Sequence, residues 1–291
     1  MTKRVVLIGH PVAHSFSAQM QQAAFDAAGI DARYELLDTS TPALQDAIEA
    51  LRGDEFLGAN VTIPHKERTA TFVDRKSEDA AATGAVNCIT REGKRLIGHN
   101  TDVNAFRVSL DALVGKQKMP RAAVILGAGC GARAAVYALI TMGFQRVIVF
   151  NRHLHRAEGL VRHFSRSAAH MDLRAMPWHD SVIESELSRT RVLVNATSVG
   201  LASDESPIPA ELLAPDLLVM DMLYNPPETR LLRDAKAAGA AAVQNGELML
   251  LQQGMDAFQL WTGQPAPVDV MRRTLDEARQ AGTGRTPAEM A

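Results

Sequence analysis

A glycine-rich turn near the middle of the chain constrains the fold more than any other feature. It joins an apolar run at Ala122–Leu126 to a helical pattern at Arg133–Met142. A G-x-G-x-x-A turn in this context is typical of dinucleotide-binding folds, because its glycines permit a tight turn and close approach of a pyrophosphate to the helix N-terminus. A glycine turn without a ligand is the alternative, but a second strand at the right interval favours a dinucleotide. The predicted cofactor-binding residues here are Gly127, Ala128, Gly129, Gly131 and Ala132.

The end of that second strand indicates which dinucleotide binds. An NAD-binding fold usually places an Asp or Glu there, where it accepts a hydrogen bond from the ribose 2′-OH. This chain instead has Asn151, Arg152 and His153, with Arg156 one helical turn later. No carboxylate would repel a 2′-phosphate, and guanidinium groups pair with phosphate oxygens bidentately. The pattern favours NADP over NAD, with Asn151, Arg152 and Arg156 as cofactor-binding residues; solvated surface charges are the alternative.

Alternating strands and helices extend on both sides of the glycine turn. This alternation predicts an α/β fold with mostly parallel sheets. The first series contains predicted strands at Val5–Ile8, Tyr34–Leu37 and Leu57–Thr62, and a helix with Ser17 as its N-cap. The second series is a doubly wound, Rossmann-type arrangement whose predicted strands are Ala122–Leu126, Val147–Phe150, Val192–Asn195, Leu217–Asp221 and Ala241–Gln244.

The length of 291 residues predicts two domains, because compact domains commonly hold about 150 residues. A polar segment at Gly115–Pro120 interrupts the pattern after the first series, so the domain change is placed between about 102 and 120. We expect an N-terminal α/β substrate domain at 1–103, an NADP-binding domain at 104–244, and helices within 245–281 that return to the first domain. Residues 282–291 are small and polar and are predicted to form a frayed tail.

Charge and hydrophobicity exclude several classes of partner. Lysine and arginine number 31 against 33 acidic residues, so no charge excess favours nucleic acid or an anionic membrane. No segment approaches the roughly 20 apolar residues that span a bilayer, and the start lacks a signal-peptide core. The chain has 2 cysteines, which favours a reducing cytoplasm over a disulfide framework. We expect a cytoplasmic monomer or homodimer with a small-molecule substrate.

In the first domain, three short polar segments follow apolar runs that are predicted to be strands or to adjoin them. Lys66 comes shortly after the strand that ends at Thr62, Asn87 closes a Gly-Ala-Val-Asn segment, and Asp102 closes a His-Asn-Thr-Asp segment. The carboxyl edge of an open α/β sheet is where such folds bind ligands. Taken singly, each segment has a simpler explanation, because lysines usually lie on solvated faces and Asn-Thr-Asp is usual in turns and helix caps.

As a set, these segments resemble the shikimate dehydrogenases and their quinate-using relatives almost from end to end. GHPVAHSFS resembles the family's loop for the substrate carboxylate, and ANVTIPHK, GAVN and HNTD resemble its further substrate-site signatures. LGAGCGAR and NRHLHR resemble its NADP loop and phosphate clamp. NATSVG, DMLY and a late glutamine resemble contacts on the nicotinamide and substrate sides, which map to Asn195, Thr197, Ser198, Tyr224 and Gln253.

The resemblance implies an NADP-dependent oxidoreductase that acts on a secondary alcohol and interconverts 3-dehydroshikimate and shikimate. Lys66 is implied to donate the proton when hydride reaches the ketone carbon, and Asp102 to orient Lys66 and bind an adjacent hydroxyl. Ser15, Ser17 and Thr62 are implied to bind the substrate carboxylate through their hydroxyl groups. The remaining implied substrate-binding residues are Asn87, Asn100, Tyr224 and Gln253, and the remaining implied cofactor-binding residues are Thr197, Ser198 and Gly246.

Several residues depart from the family's usual pattern and leave alternatives open. His153 stands where threonine is common, and Glu247 and Leu248 stand in a turn that is usually glycine-rich. His65 replaces a usual phenylalanine and Ala18 a usual proline, which suggests a paralogous subclass with an altered substrate range. A quinate or quinate/shikimate dehydrogenase is the nearest alternative, and an NADP-binding sensor is the alternative outside enzymes.

Neither a metal site nor an acyl-transfer serine is expected, because zinc-type spacing and a G-x-S-x-G elbow are both missing.

Overall fold

The computed structural model describes residues 2–13 and 15–282. It divides into two compact units. One holds residues up to Asp102 and from Leu251 onward, and the other holds Val103–Leu250. From residue 283 on, the predicted tail lies outside the described residues. Within the described ranges, no helix is both long enough and apolar enough to cross a bilayer.

The first unit is a six-stranded sheet flanked by helices. Its elements before residue 100 are β1 Lys3–Gly9, α1 Ser17–Ala27, β2 Ala32–Asp38, α2 Leu44–Ala50, β3 Phe56–Val61, α3 Lys66–Thr69, β4 Arg75–Lys76, α4 Glu78–Thr83, β5 Cys88–Glu92 and β6 Arg95–His99. The strands lie in the order β2-β1-β3-β5-β6-β4. The centre of β1, Val5 to Ile8, is buried on both faces, as its continuous apolar run predicts.

One strand of this sheet runs against the others. β5 pairs antiparallel with both β3 and β6, while β1 pairs in parallel with β2 and β3. The expected mostly parallel sheet is therefore correct with this exception. Because β5 is reversed, its amino end lies at the same edge as the carboxyl ends of β3 and β6. Residues that precede β5 and residues that follow β3 and β6 therefore meet at one edge.

Two C-terminal helices follow, α10 Glu247–Thr262 and α11 Val268–Gly282, and from Leu251 onward they belong to the first unit. Trp261 of α10 donates its indole N–H to the carbonyl oxygen of Ile89 at 3.0 Å. Gln21 of α1 donates to the carbonyl oxygen of Gly254 at 2.8 Å, and the rings of Phe25 and Phe258 lie 5.5 Å apart. These contacts confirm the prediction that the C-terminal helices return to the first domain.

The second unit is a fully parallel, doubly wound sheet in the order β12-β11-β10-β7-β8-β9. Helix α5, Thr101–Val114, leads into it. Its further elements are β7 Ala122–Leu126, α6 Cys130–Thr141, β8 Arg146–Phe150, α7 Leu154–Phe164, β9 Asp172–Met176, α8 Asp180–Leu187, β10 Val192–Asn195, a 3-10 turn Ala210–Leu212, β11 Leu218–Asp221, α9 Arg230–Ala237 and β12 Ala242–Gln244. The predicted α/β class with a Rossmann-type domain is confirmed.

Four strands and one helix start differ from the sequence predictions, since β4, β5 and β6 of the first unit were not among the predicted strands either. The strand β9 was not predicted, because Asp172–Met176 is a five-residue edge strand whose residues are at best half-buried, so its apolar signal is short and weak. The prediction of Ser17 as a helix N-cap was wrong. Phe16 occupies that position without a side-chain cap, and Ser17 is the first helical residue. Its backbone N–H donates to Oγ of Ser15 at 3.2 Å.

Candidate functional site

The predicted proton-transfer pair is in direct contact in the first unit. Lys66 begins α3 just after β3, and Asp102 is the second residue of α5 just after β6. Nζ of Lys66 lies 2.6 Å from Oδ2 of Asp102. The side chains of Lys66 and Asp102 are 16% and 8% exposed. Residues 36 positions apart thus form a mostly buried ion pair at the sheet edge described above.

Asn87 holds the other oxygen of the same carboxylate. Its Nδ2 donates to Oδ1 of Asp102 at 2.9 Å and to Oγ1 of Thr101 at 2.9 Å. Its Oδ1 accepts the backbone N–H of Thr101 at 2.8 Å, which fixes the orientation of the amide. An amide has two N–H donors, so both donors of Asn87 are already used. Asn87 therefore positions Asp102 and keeps only acceptor capacity on Oδ1 for a substrate hydroxyl.

Asn100 is a second buried amide beside Asp102. Its Nδ2 donates to Oγ1 of Thr83 at 2.9 Å and to the carbonyl oxygen of Ala85 at 3.0 Å. Its Oδ1 accepts the backbone N–H of Asp102 at 3.1 Å. Asn100 therefore joins the loop before β5 to the start of α5. Both N–H donors of Asn100 are therefore used within the protein, as they are in Asn87. Its contact with the substrate stays a prediction.

A polar chain that the sequence interpretation missed lies behind Asn87. The hydroxyl of Tyr34 donates to Oδ1 of Asn60 at 2.7 Å, and Nδ2 of Asn60 donates to the carbonyl oxygen of Asn87 at 3.1 Å. Burial raises the pKa of Tyr34 well above its ordinary value, so the phenol stays a neutral donor. The available signal was Asn60 itself, a polar residue inside an apolar strand, which requires a partner when buried.

The predicted carboxylate-binding hydroxyls lie at the same edge of the first sheet. Ser15 follows β1 and Thr62 follows β3, and these two strands are parallel neighbours. The backbone N–H of Thr62 donates to the carbonyl oxygen of Ile8 at 2.8 Å. Ser17 is buried at the start of α1, and Gln253 lies in the middle of α10. The contacts of these four residues with a substrate stay predictions.

His65, one of the departures from the family pattern, is fully enclosed in the first unit. Its side chain has no solvent exposure, and its Nε2 lies 2.6 Å from the carbonyl oxygen of Thr39. A carbonyl oxygen only accepts, so Nε2 carries the hydrogen. His65 therefore joins α3 to the end of β2 from inside the fold. Its proposed link to substrate range is untested.

The glycine loop of the second unit has the geometry that a dinucleotide requires. At Gly127 φ is +108°, and a Cβ would lie 2.7 Å from the carbonyl oxygen of Ala196. At Gly129, the N-cap of α6, a Cβ would meet nothing within 4 Å. Ala132 is fully buried, which permits close packing of helix on strand. Gly127 thus makes the turn, and the open space beside Gly129 fits a pyrophosphate.

The end of β8 has the residues that a 2′-phosphate requires. Nδ2 of Asn151 donates to the carbonyl oxygen of His153 at 2.9 Å and shapes the turn into α7. Arg152, His153 and Arg156 are all exposed. The first acidic residue after β8 is Glu158, in the second turn of α7. The donor set therefore fits a phosphate, as the sequence pattern predicts.

A buried carboxylate that the sequence interpretation missed connects the ends of β10 and β11. Asp221 accepts hydrogen bonds from Nδ2 of Asn195 at 3.0 Å, from the N–H of Leu223 at 3.0 Å and from the hydroxyl of Thr229 at 2.7 Å. Burial raises the pKa of Asp221 above its ordinary value, and these three hydrogen bonds oppose the rise. The only sequence signal was an acidic residue at the end of an apolar strand.

Thr197 belongs to the same network through its hydroxyl group. The hydroxyl donates to Oδ1 of Asn195 at 2.7 Å and accepts the N–H of Val199 at 3.1 Å. Its single donor is therefore used within the turn. A contact of Thr197 with the cofactor would have to use its backbone or its methyl group. Ser198, the next predicted residue, is exposed in the same turn.

Gly246 lies against the segment that follows β11. A Cβ at Gly246 would lie 2.1 Å from the carbonyl oxygen of Met222, so no other residue fits without movement. The N–H of Gly246 donates to the carbonyl oxygen of Leu223 at 2.9 Å. Tyr224 follows in the same segment, and burial raises its pKa. Gly246 is thus hydrogen-bonded to Leu223, the residue that directly precedes Tyr224.

The histidine-rich segment around α7 shows no metal-site geometry. The rings of His153 and His155 lie 5.8 Å apart, and the ring of His163 packs edge-on against Phe164 at 4.7 Å. In the part of the chain that the structure describes, no three His, Cys, Asp or Glu residues come together as a metal-binding group.

Comparisons with known proteins cover nearly the whole chain. The shikimate dehydrogenase substrate binding domain matches residues 7–89, the shikimate / quinate 5-dehydrogenase family matches residues 113–211, and the shikimate 5′-dehydrogenase C-terminal domain matches residues 246–275. A shikimate dehydrogenase (NADP(+)) of Methanopyrus kandleri is 39% identical over 279 residues, which cover 95% of this chain and 96% of the relative.

Solved structures agree with these sequence matches. Shikimate 5-dehydrogenase from Thermus thermophilus, in complex with NADP(H) and shikimate, is 39% identical, with a TM-score of 0.82 over 95% of this chain and 99% of that chain. Quinate dehydrogenase from Corynebacterium glutamicum, in complex with NAD, is 30% identical, with a TM-score of 0.84 over 95% of this chain and 99% of that chain.

Proposed function

The chain belongs to the shikimate dehydrogenase family, and we propose that it catalyses the reversible, NADP-dependent reduction of 3-dehydroshikimate to shikimate, with Lys66 and Asp102 handling the proton. The observation that carries this assignment of roles is the contact of 2.6 Å between Nζ of Lys66 and Oδ2 of Asp102. A secondary alcohol dehydrogenase needs one group that exchanges the hydroxyl proton, and an ammonium held by a carboxylate supplies it.

Lys66 exchanges one proton with the substrate in each direction of the reaction. In reduction, the ammonium of Lys66 donates a proton to the carbonyl oxygen of the ketone, which becomes the hydroxyl group. In oxidation, the amine of Lys66 takes that proton back. Asp102 orients Lys66, because its carboxylate is held from the other side by Asn87. The limited exposure of the pair lowers the local dielectric and strengthens the interaction between them.

The second unit supplies the residues for the cofactor. When bound, NADPH supplies the hydride for reduction. The loop from Gly127 to Ala132 would hold the pyrophosphate against the N-terminus of α6. Arg152 and Arg156, with Asn151 shaping the turn, would pair with the 2′-phosphate. Thr197, Ser198 and Gly246 would line the part of the cofactor that lies over the carboxyl ends of β10 and β11.

The first unit supplies most of the residues for the substrate. Ser15, Ser17 and Thr62 would donate hydroxyl hydrogens to the carboxylate without adding charge. Asp102 and Oδ1 of Asn87 would accept hydrogen bonds from ring hydroxyls, because the two N–H donors of Asn87 are used. The further predicted substrate contacts are Asn100, Tyr224 and Gln253.

Quinate is the second candidate substrate, and one comparison favours it. The quinate dehydrogenase of Corynebacterium glutamicum shares the fold at 30% identity. That protein is in complex with NAD, whereas the end of β8 in this chain carries Arg152 and no carboxylate before Glu158. The arginine supports NADP, the cofactor of the curated shikimate dehydrogenases.

The cellular setting follows the same reasoning. We propose a cytoplasmic enzyme, a monomer or homodimer, with small-molecule ligands and without nucleic acid or membrane partners. Near-balanced charge, 31 basic against 33 acidic residues, supports the absence of polyanionic partners. Cys88 and Cys130 are both free thiols, which supports a reducing compartment.

The test is a spectrophotometric assay with purified protein. Shikimate or quinate is combined with NADP or NAD, and the absorbance of the reduced nicotinamide is followed. Fast reduction of NADP with shikimate is the expected result. A preference for quinate with NAD would move the chain to the second candidate. Tight NADP binding without turnover in any combination would instead favour a cofactor sensor.

A further inference from the structure

Four basic or titratable side chains cluster where β8 passes into α7. Arg152, His153, His155 and Arg156 are all exposed. The rings of His153 and His155 lie 5.8 Å apart, with an angle of 32° between their planes. The backbone beneath them is held, because the carbonyl oxygen of His153 accepts Nδ2 of Asn151 at 2.9 Å and the N–H of Arg156 at 3.0 Å. Two imidazoles thus project next to each other from a fixed turn.

We propose that His153 and His155 are specificity-determining residues that bind the cofactor's 2′-phosphate as imidazolium ions, so that NADP binding takes up protons and NAD binding does not. The inference rests on the proposed cofactor site, and it adds two residues and a proton to it. The ligand chemistry is a phosphate monoester on an adenosine ribose.

The charges near His153 and His155 determine whether NADP binding takes up or releases protons. Arg152 and Arg156 flank the two histidines in the chain and bring positive charge to the same exposed turn. A bound phosphate monoester carries a charge of about −1.5 to −2 near neutral pH and offsets this positive charge. Histidine titrates at about 6.5, so a favourable anion converts a mostly neutral ring to a cation close to neutral pH.

The neighbouring elements bring few competing charges to this position. β8 lies between β7 and β9 in the sheet. After β7, helix α6 carries Arg133, which adds positive charge. After β9 come His179 and Asp180, and α7 itself carries Glu158. Asp180 and Glu158 are single carboxylates at exposed positions, whereas a phosphate monoester brings nearly two charges to the same place.

The proposal predicts a pH-dependent choice between the two dinucleotides. Because binding and protonation are reciprocally linked, NADP affinity falls about tenfold for each unit of pH over the range in which binding takes up one proton. NAD lacks the 2′-phosphate and is expected to bind with little change over the same range. The NADP-to-NAD preference therefore falls as pH rises from about 6 to about 8, the range in which histidine loses its proton.

The experiment is isothermal titration calorimetry on the full chain without substrate. NADP, NAD and adenosine 2′,5′-bisphosphate are each titrated in two buffers with different ionisation enthalpies, which gives the number of protons exchanged. We expect uptake of between about 0.5 and about 1.5 protons at neutral pH for the two phosphate-bearing ligands, because a histidine side chain can take up at most one proton and two histidines are involved. We expect a value near zero for NAD.

Variants assign the protons to residues. The double variant His153→Asn/His155→Asn is expected to abolish the uptake and to weaken NADP binding about tenfold or more while leaving NAD binding unchanged. His170→Asn, which alters an exposed histidine after the end of α7, is the matched control and keeps the uptake. A thermal melt shows that each variant is folded.

The possible outcomes distinguish a failure of the histidine proposal from a failure of the proposed NADP site. Tight NADP binding with no proton uptake, or with uptake unchanged in the double variant, would overturn the inference and leave the cofactor assignment standing. Proton release would also overturn it, because release indicates titration of the phosphate itself by the arginines. Failure of both dinucleotides to bind the folded protein would overturn the inference and the proposed cofactor site together.

Discussion

Nζ of Lys66 lies 2.6 Å from Oδ2 of Asp102, although the two residues leave different strands of the first sheet. The pair is mostly shielded from solvent, and its carboxylate is held by a second hydrogen bond from Asn87. A charged pair with this support is suited to deliver a proton from a defined position.

Replacement of the lysine tests that assignment. Lys66→Ala is expected to lower kcat by a factor of about 10² to 10⁴, the usual contribution of a positioned general acid or base. Folding is expected to be retained, as judged by a thermal melt and by NADP affinity. Turnover close to that of the wild type in a folded variant would remove Lys66 from the chemistry.

The second prediction is that the side chain of Asn87 contributes more to kcat than to substrate affinity. Because both of its N–H donors are used on Thr101 and Asp102, Asn87→Ala removes a hydrogen bond to a charged group, worth about 1.5 to 3 kcal/mol. We expect kcat to fall about tenfold or more and shikimate affinity to change less. Steady-state kinetics and equilibrium binding measure the two effects. A large loss of affinity at unchanged kcat would show that Asn87 acts mainly on the substrate.

Two glycines allow cofactor binding to be separated from folding. A Cβ at Gly129 would meet nothing within 4 Å, whereas one at Gly246 would lie 2.1 Å from the carbonyl oxygen of Met222. Gly129→Ala is therefore expected to keep the wild-type Tm and to weaken NADP binding about tenfold or more, because the methyl occupies the pyrophosphate's position. Gly246→Ala is expected to lower Tm. Unchanged NADP affinity in Gly129→Ala would place the cofactor elsewhere.

Asp221 makes stability depend on pH in a defined direction. Burial raises its pKa, so the folded protein holds this proton more tightly than the unfolded chain does. The associated stability is present at low pH and is lost as pH rises through the folded pKa. The free energy of unfolding of the wild type, minus that of Asp221→Asn, is therefore expected to fall as pH rises above the ordinary aspartate pKa of about 3.9. Denaturant unfolding at several pH values measures it.

The control for this comparison is an exposed carboxylate. Asp46→Asn changes a solvent-facing residue of α2, and its difference from the wild type is expected to show no such fall. A difference for Asp221→Asn that stays constant or grows with pH would contradict the buried-carboxylate explanation.

The attachment of the C-terminal helices gives the last prediction. Trp261→Phe removes the hydrogen bond of 3.0 Å to the carbonyl oxygen of Ile89 while keeping an aromatic ring. The loss of one hydrogen bond to a buried carbonyl oxygen is expected to cost about 0.5 to 1.5 kcal/mol in the free energy of unfolding. Denaturant unfolding measures this loss. Full wild-type stability would show that α10 is held to the sheet by apolar contacts alone.

Local sequence patterns determined much of this protein. The strand, glycine turn and helix around Gly127 are adjacent in the chain, so residue order alone predicts the dinucleotide fold. The same holds for Arg152 at the end of β8, which indicates NADP. Lys66 and Asp102 could be singled out as polar residues after apolar runs, and the family resemblance related the two before any contact was known.

Only the tertiary structure decided which groups are already bonded. The reversal of β5 brings Asn87 beside Asp102 and uses both of its amide hydrogens, and no local pattern encodes the pairing of Asn195 with Asp221. His65 departs from the family pattern in sequence, but only the structure shows that it is enclosed and bonded to the carbonyl oxygen of Thr39. Such contacts join residues far apart in the chain, so they depend on strand order and direction, whereas patterns of residue type report only on neighbours along the sequence.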